Sequence, residues 1–150
     1  MTRTELENRL CVLLGGRVAE EIMFSDVSTG AQDDLQKATD IARSMVTEYG
    51  MSERLGLRTF EKERRGIFLD VPQITRRDYS EEKAAEIDKE VEDILERAHR
   101  QVRDLLTAKQ SLLEKLAQRL LEKEVLDGEE LRQVIRTSES GNPKKLGVAL

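Results

Sequence analysis

The chain has 150 residues, 37% of them charged, with a net charge of −5 and both signs interspersed. That is one domain's length, and 3% aromatic content with no Trp makes its core aliphatic. Composition excludes a nucleic-acid binder, because the one basic cluster, Lys62-Glu63-Arg64-Arg65, is broken by an acid; an internal disulfide or a metal site of several His and Cys, because there is one of each; and a membrane span, because no 18-residue apolar run occurs.

Residues 4–23 place Leu6, Leu10, Leu13, Leu14, Val18 and Ile22 at helical spacing, with Thr2 and Glu5 as a capping box. The Thr2-Arg3-Thr4-Glu5 start is not the n-region of a signal peptide. Cys11, between Leu10 and Val12, reads as a small core residue. Arg17 and Glu21 pair at i,i+4 on the helix surface. Gly15-Gly16 costs about 1 kcal/mol per glycine relative to Ala inside a helix. The expected return is close approach of another backbone, with a kink as the alternative.

Residues 24–30 form a loop, and Thr29 with Gln32 caps the next helix. Ala31, Leu35, Ala38, Ala42, Met45 and Tyr49 mark its apolar face, and Gly50 stops it. Residues 51–79 lack helical period. Gly56, Gly66 and Pro72 punctuate an irregular insertion with a short hairpin, in which Gly66–Leu69 is a candidate strand. From Ser80, Ala84, Ile87, Val91, Ile94, Ala98, Val102 and Leu105 define a long amphipathic helix with Asp78 and Glu81 as its capping box. A break near 107–111 precedes Leu112, Leu113, Leu116, Leu120 and Leu121. Asp127-Gly128-Glu129-Glu130 caps a last short helix through Leu131, Val134 and Ile135. The prediction is an all-α helical bundle over residues 1–136 with one irregular insertion, then a polar, disordered tail over 137–150.

The helix after Gly30 opens with two carboxylates, Asp33 and Asp34. At about 100° per residue, Asp33 lies roughly 155° from the centre of the apolar stripe and Asp34 roughly 55°. Asp33 therefore faces solvent, where it can pair with Lys37 and favour the helix dipole. Asp34 sits at the edge of the buried face, where a carboxylate needs a partner. Two readings are open for it: a carboxylate satisfied by N-terminal backbone N–H groups, or a ligand or catalytic group.

The blocks L-L-G-G-R-V-A-E-E-I-M-F and S-T-G-A-Q-D-D-L-Q-K-A-T-D-I-A-R-S-M-V-T-E-Y-G-M-S-E-R-L-G resemble the peptidase domain of the FtsH family of membrane-anchored, ATP-dependent zinc metalloproteases. G-I-F-L-D and R-D-Y-S-E-E-K-A-A-E-I-D-K-E-V continue the resemblance, which covers nearly the whole chain except the tail. It implies an HExxH helix with two zinc histidines and a glutamate general base, plus a third carboxylate ligand. Zinc there makes a water acidic enough to attack a peptide carbonyl near neutral pH. The family's third ligand is the Asp of the S-T-G-A-x-x-D block, which falls on Asp34. Glu20 is the rival ligand, and otherwise a candidate for orienting a zinc histidine.

This chain departs from the family in carrying no HExxH; His99, in E-R-A-H-R-Q-V, matches no family role and reads as an ordinary helix-surface histidine. Leu57 stands where the family usually has Pro, and Asp70 where it has Gly. The histidines, the general base, the ATP-binding module and the membrane segments are expected upstream of Met1. The implied parent degrades unfolded or membrane-protein polypeptides as a ring of six, anchored in a bacterial inner membrane or an organelle membrane. This domain lies on the cytoplasmic or matrix side, and the fragment itself is expected to be soluble. The isolated chain, with one zinc ligand of three, is expected to lack peptidase activity. The alternative function is a non-catalytic helical scaffold or oligomerisation module derived from the same family.

Overall fold

The computed structural model describes residues 1–62, 76–77 and 79–140. The chain is all-α with one irregular insertion. Its elements are α1 (Arg3–Phe24), a single 3-10 turn (Thr29–Ala31), α2 (Gln32–Thr47), the two-residue strands β1 (Glu61–Lys62) and β2 (Arg76–Arg77), α3 (Glu81–Ala108), α4 (Gln110–Lys123) and α5 (Gly128–Ser140).

The described chain divides after Asp104 into two compact units. In the first, Leu6, Leu10 and Leu14 of α1 meet Ala38, Ala42, Met45 and Val46 of α2 and Ile87, Val91, Ile94 and Ala98 of α3 in one core. Each set recurs every three or four residues, so each helix turns one stripe inward. Cys11 packs against this core half-buried, and burial pushes its thiol above the ordinary range.

The helix ends follow their local chemistry. Thr2 Oγ1 accepts from Glu5 N–H at 3.2 Å and Glu5 Oε2 accepts from Thr2 N–H at 2.6 Å, a complete capping box. α2 ends at Thr47, and the chain turns away at Gly50, whose φ of 60° is left-handed; Met51 N–H reaches back over it to the Met45 carbonyl. Ser80 caps α3 by accepting from Lys83 N–H; Asp78, the expected cap, lies outside the described residues. Lys109 separates α3 from α4, as the interrupted apolar pattern predicts. Asp127 and Glu130 cap α5 reciprocally. α5 continues to Ser140, beyond the helix end expected near Arg136.

The insertion carries the main surprise. β1 and β2 pair antiparallel, Glu61 with Arg77 and Lys62 with Arg76, closing the expected hairpin at its base; the candidate strand at Gly66–Leu69 lies outside the described residues. Phe60, just before β1, is 2% exposed and belongs to the core, where Tyr79 meets it edge-on at 6.1 Å. Its N–H donates to the Thr47 carbonyl at 2.7 Å, tying the insertion to the end of α2. Glu61 is buried as well, and its Oε1 accepts from Arg43 Nη2 at 3.0 Å and Tyr79 OH at 2.7 Å.

The second unit pairs α4 with α5. Leu112 is its one buried apolar residue among those described, while Leu120, Leu121 and Leu131 are exposed.

Candidate functional site

α1 ends on Ser25, whose left-handed φ of 51° turns the chain back. The returning segment is held from α1 at one residue. Ser28 N–H donates to Glu20 Oε2 at 3.0 Å and Ser28 Oγ to Glu20 Oε1 at 2.7 Å, while Arg17 Nη1 approaches the Ser28 carbonyl at 3.5 Å. Ser28 Oγ in turn accepts from Gly30 N–H at 3.2 Å and caps the 3-10 turn. That turn leads directly into α2. The cap is therefore Ser28 rather than the expected Thr29, and α2 itself starts after Ala31 without a side-chain cap.

Glu20 is thus committed. Both of its oxygens serve Ser28, and those bonds hold its carboxyl below the usual range. Its place on α1 lets it fix the start of α2, which the sequence reading did not foresee.

Asp33 and Asp34 stand in the first turn of α2. Asp33 is exposed, as its angle on the helix predicts. Among the described residues no ion pair joins it to Lys37, so that expected contact does not form. Asp34 is half-buried. Among the described residues its carboxylate takes part in no hydrogen bond or ion pair; in particular, no N-terminal backbone N–H donates to it. The reading that α2's own backbone satisfies it does not hold. A carboxylate so placed keeps its acceptor sites for a proton, a donor or a cation. Among the described residues no three His, Cys, Asp or Glu side chains gather as a set that could hold a metal ion, so any metal here takes further ligands from elsewhere.

An open groove of about 470 Å³ is lined by residues of α1, α2 and α3. Leu14, Leu35, Ala38, Val91, Leu95 and His99 are among the residues that line it. His99 is not the plain surface residue expected. Its Nε2 lies 2.9 Å from Glu21 Oε2, bridging α3 to α1. Glu21 also takes Arg17 Nε at 3.3 Å, the expected i,i+4 pair, and Arg103 Nη1 at 3.6 Å. Burial raises the Glu21 carboxyl, but His99 and Arg17 outweigh it and hold the group below its ordinary value. Glu21 and His99 are 78 residues apart, so no spacing rule links them.

Comparison with known proteins agrees with the sequence blocks. The profile of peptidase family M41 matches residues 1–134. The ATP-dependent zinc metalloprotease FtsH of Syntrophobacter fumaroxidans is 63% identical over 134 residues, 89% of this chain and 21% of that protein. ATP-dependent zinc metalloprotease FtsH 1 of a Thermoanaerobacter species is 48% identical over 134 residues, 89% of this chain and 22% of its own. The FtsH of Ralstonia pickettii is 46% identical over 151 aligned positions, 99% of this chain and 21% of its own. The chain spans about a fifth of the length of these curated relatives. With the family profile matched along nearly its whole described length, this chain belongs to peptidase family M41.

Proposed function

We propose that this chain is part of an ATP-dependent zinc metalloendopeptidase and contributes one carboxylate, Asp34, to the zinc site. The observation that carries the reading is a contrast between two acids. Asp34 is half-buried and uncommitted, whereas the rival ligand Glu20 has both oxygens on Ser28. Chemistry supports the assignment, since an oxygen ligand from Asp completes a histidine-based zinc site with one position left open. Zinc, when bound, supplies Lewis acidity and a water acidic enough to act near neutral pH. This chain's own part is positional: α1, through Glu20 and Arg17, holds Ser28, and Ser28 sets where α2 and its carboxylate begin.

The relatives named as ATP-dependent zinc metalloproteases support the peptidase reading, and the resemblance of the sequence blocks to the FtsH family adds the assembly and substrates. We assign residues 1–136 to the peptidase portion. The zinc histidines, the general base and the ATP-binding module belong to other polypeptide. Unfolded or membrane-protein chains are the substrates, and a membrane-anchored ring of six is the assembly. Among the described residues no helix is long and apolar enough to cross a membrane. The 150-residue chain alone is expected to show no peptidase activity.

Metal analysis of the complete product of the gene that encodes this chain tests the ligand. The parent and Asp33→Asn should each hold one zinc per subunit. Asp34→Asn should weaken zinc retention at least about tenfold, in the range seen for lost metal-site partners. Full zinc in Asp34→Asn, or loss of the metal from Glu20→Gln alone, would overturn the assignment.

A further inference from the structure

We propose that His99 is a positioning residue for the Asp34 carboxylate: through Glu21 and Arg17 it fixes the end of α1 that holds Ser28, and with it the start of α2. That role presupposes Asp34 as a zinc ligand and places part of its support on α3. The need for an anchor lies in how α1 is held. Leu6, Leu10 and Leu14 fasten its first part to the core, and Val18 is its last buried residue. Glu20, which takes Ser28 on both oxygens, stands beyond that point. A helix end past its last buried side chain shifts and frays readily. Tolerance is small. Rotating α1 by about 10° moves its side-chain tips by about 1 Å, whereas a metal site needs its ligands placed within about 0.5 Å.

Glu21 supplies the attachment. Its Oε2 lies 2.9 Å from His99 Nε2. Burial raises the Glu21 carboxyl, yet His99 and Arg17 hold it below its ordinary value. At neutral pH it is therefore a carboxylate, which only accepts. His99 Nε2 must carry the hydrogen and donate it, whether the ring is neutral or charged. Arg103 Nη1, at 3.6 Å, is too far to hydrogen-bond and adds charge alone. Among the described residues, the hydrogen bond from His99 is the one that joins α3 to Glu21.

Arg17 passes that placement on. Its Nε donates to Glu21 Oε1 at 3.3 Å, and its Nη1 approaches the Ser28 carbonyl at 3.5 Å. A guanidinium is planar and rigid, so the two N–H directions move together. Glu20 and Glu21 are successive residues on one helix, about 100° apart. A rotation that freed Glu21 from His99 would carry Glu20 off Ser28 as well. One histidine on α3 thus steadies Arg17 and Glu20, and both hold Ser28, whose Oγ caps the 3-10 turn leading into α2. The His99 and Arg17 side chains are 38% and 27% exposed. Such partly exposed ties add little to fold stability; what they supply is orientation.

The zinc affinity of the complete product of the gene that encodes this chain, read by competition with a chelator of known affinity, tests the role. His99→Ala should weaken zinc binding about threefold to thirtyfold, the range of couplings carried through side-chain networks. His99→Gln keeps a side-chain N–H for Glu21 and should bind zinc within about twofold of the parent. In the Asp34→Asn background, His99→Ala should change the affinity by less than about twofold, since residues that act through one another are not additive. A residue that merely stabilises the fold would weaken both backgrounds equally. Parent-like affinity in His99→Ala, a loss in His99→Gln as large as in His99→Ala, or an equal loss with and without Asp34 would each overturn the role of His99 alone. Full zinc in Asp34→Asn, or none in the parent, would overturn the ligand assignment and this role together, so the two failures are told apart.

Discussion

Two acidic residues separate what this fold needs from what it leaves open. At the base of the insertion, Glu61 is buried and bonded to Arg43 and Tyr79. At the start of α2, Asp34 is half-buried and bonded to nothing described. The first carboxylate ties three parts of the chain together: α2, β1 and the entry to α3. The second holds nothing in place. Its oxygens reach water, since among the described residues no unbonded side-chain oxygen is sealed from solvent. A carboxylate that the fold does not engage keeps its acceptor sites for a use outside the fold.

The contrast breaks most easily at its structural end. Glu61→Ala leaves the Tyr79 hydroxyl and the Arg43 guanidinium without this acceptor. Arg43 is one-third exposed, so water compensates part of the loss. We expect a loss of about 2 kcal/mol and a thermal midpoint lower by roughly 4–8 °C. Glu61→Gln keeps an acceptor for Tyr79 and should lose about half as much. Thermal unfolding of the purified chain followed by circular dichroism checks both. A midpoint within 1 °C of the parent for Glu61→Ala, against the roughly 4–8 °C expected, would mean that Glu61 is not a structural acid.

That end of the contrast was also the part hidden in the sequence. The five helices were legible because periodic apolar residues and short-range caps report themselves locally, as Thr2 with Glu5 and Asp127 with Glu130 do. The outward angle of Asp33 and the inner-edge angle of Asp34 follow from the same arithmetic. Phe60 and Glu61 lie in a stretch with no period, and Glu61's partners, Arg43 and Tyr79, each stand 18 residues away. The Glu21–His99 bridge spans 78 positions. The turn before α2 is capped one residue earlier than the spacing predicts, because Ser28 and Thr29 have similar capping chemistry. Glu20, a full helix turn before the end of α1, decided between them. The close approach that Gly15-Gly16 predicts is made by no described segment of this chain.

Glu21 provides an intermediate case, partly buried and bonded to His99 and Arg17. Its folded-state carboxyl lies below the ordinary value. A depressed carboxyl contributes stability that is fully present above the unfolded-state value near about 4.3 and is lost as pH falls through the lower folded-state value. Groups facing it from both helices are Arg17 on α1 and His99 and Arg103 on α3. The thermal midpoint of Glu21→Gln should therefore converge on that of the parent as pH falls from about 6 to about 3. A gap that stays constant over this range would remove Glu21 from the acid response.

The smallest effect gives the sharpest test. In the 150-residue chain, Asp33→Asn removes an exposed acid near the N-terminus of α2, losing a few tenths of a kcal/mol of dipole interaction. Asp34→Asn loses a similar dipole contribution but also removes a half-buried charge that no described group compensates. The two substitutions are chemically identical and adjacent, yet they should differ in sign: Asp33→Asn slightly destabilising, Asp34→Asn neutral or slightly stabilising, both within about 0.5 kcal/mol of the parent. Paired urea titrations at pH 7, repeated until the midpoints resolve that difference, provide the comparison. If Asp34→Asn instead lost more than about 1 kcal/mol, the carboxylate would already be engaged in the fold. It would then stand with Glu61 among the structural acids, and the reason for assigning it to a metal would go with it.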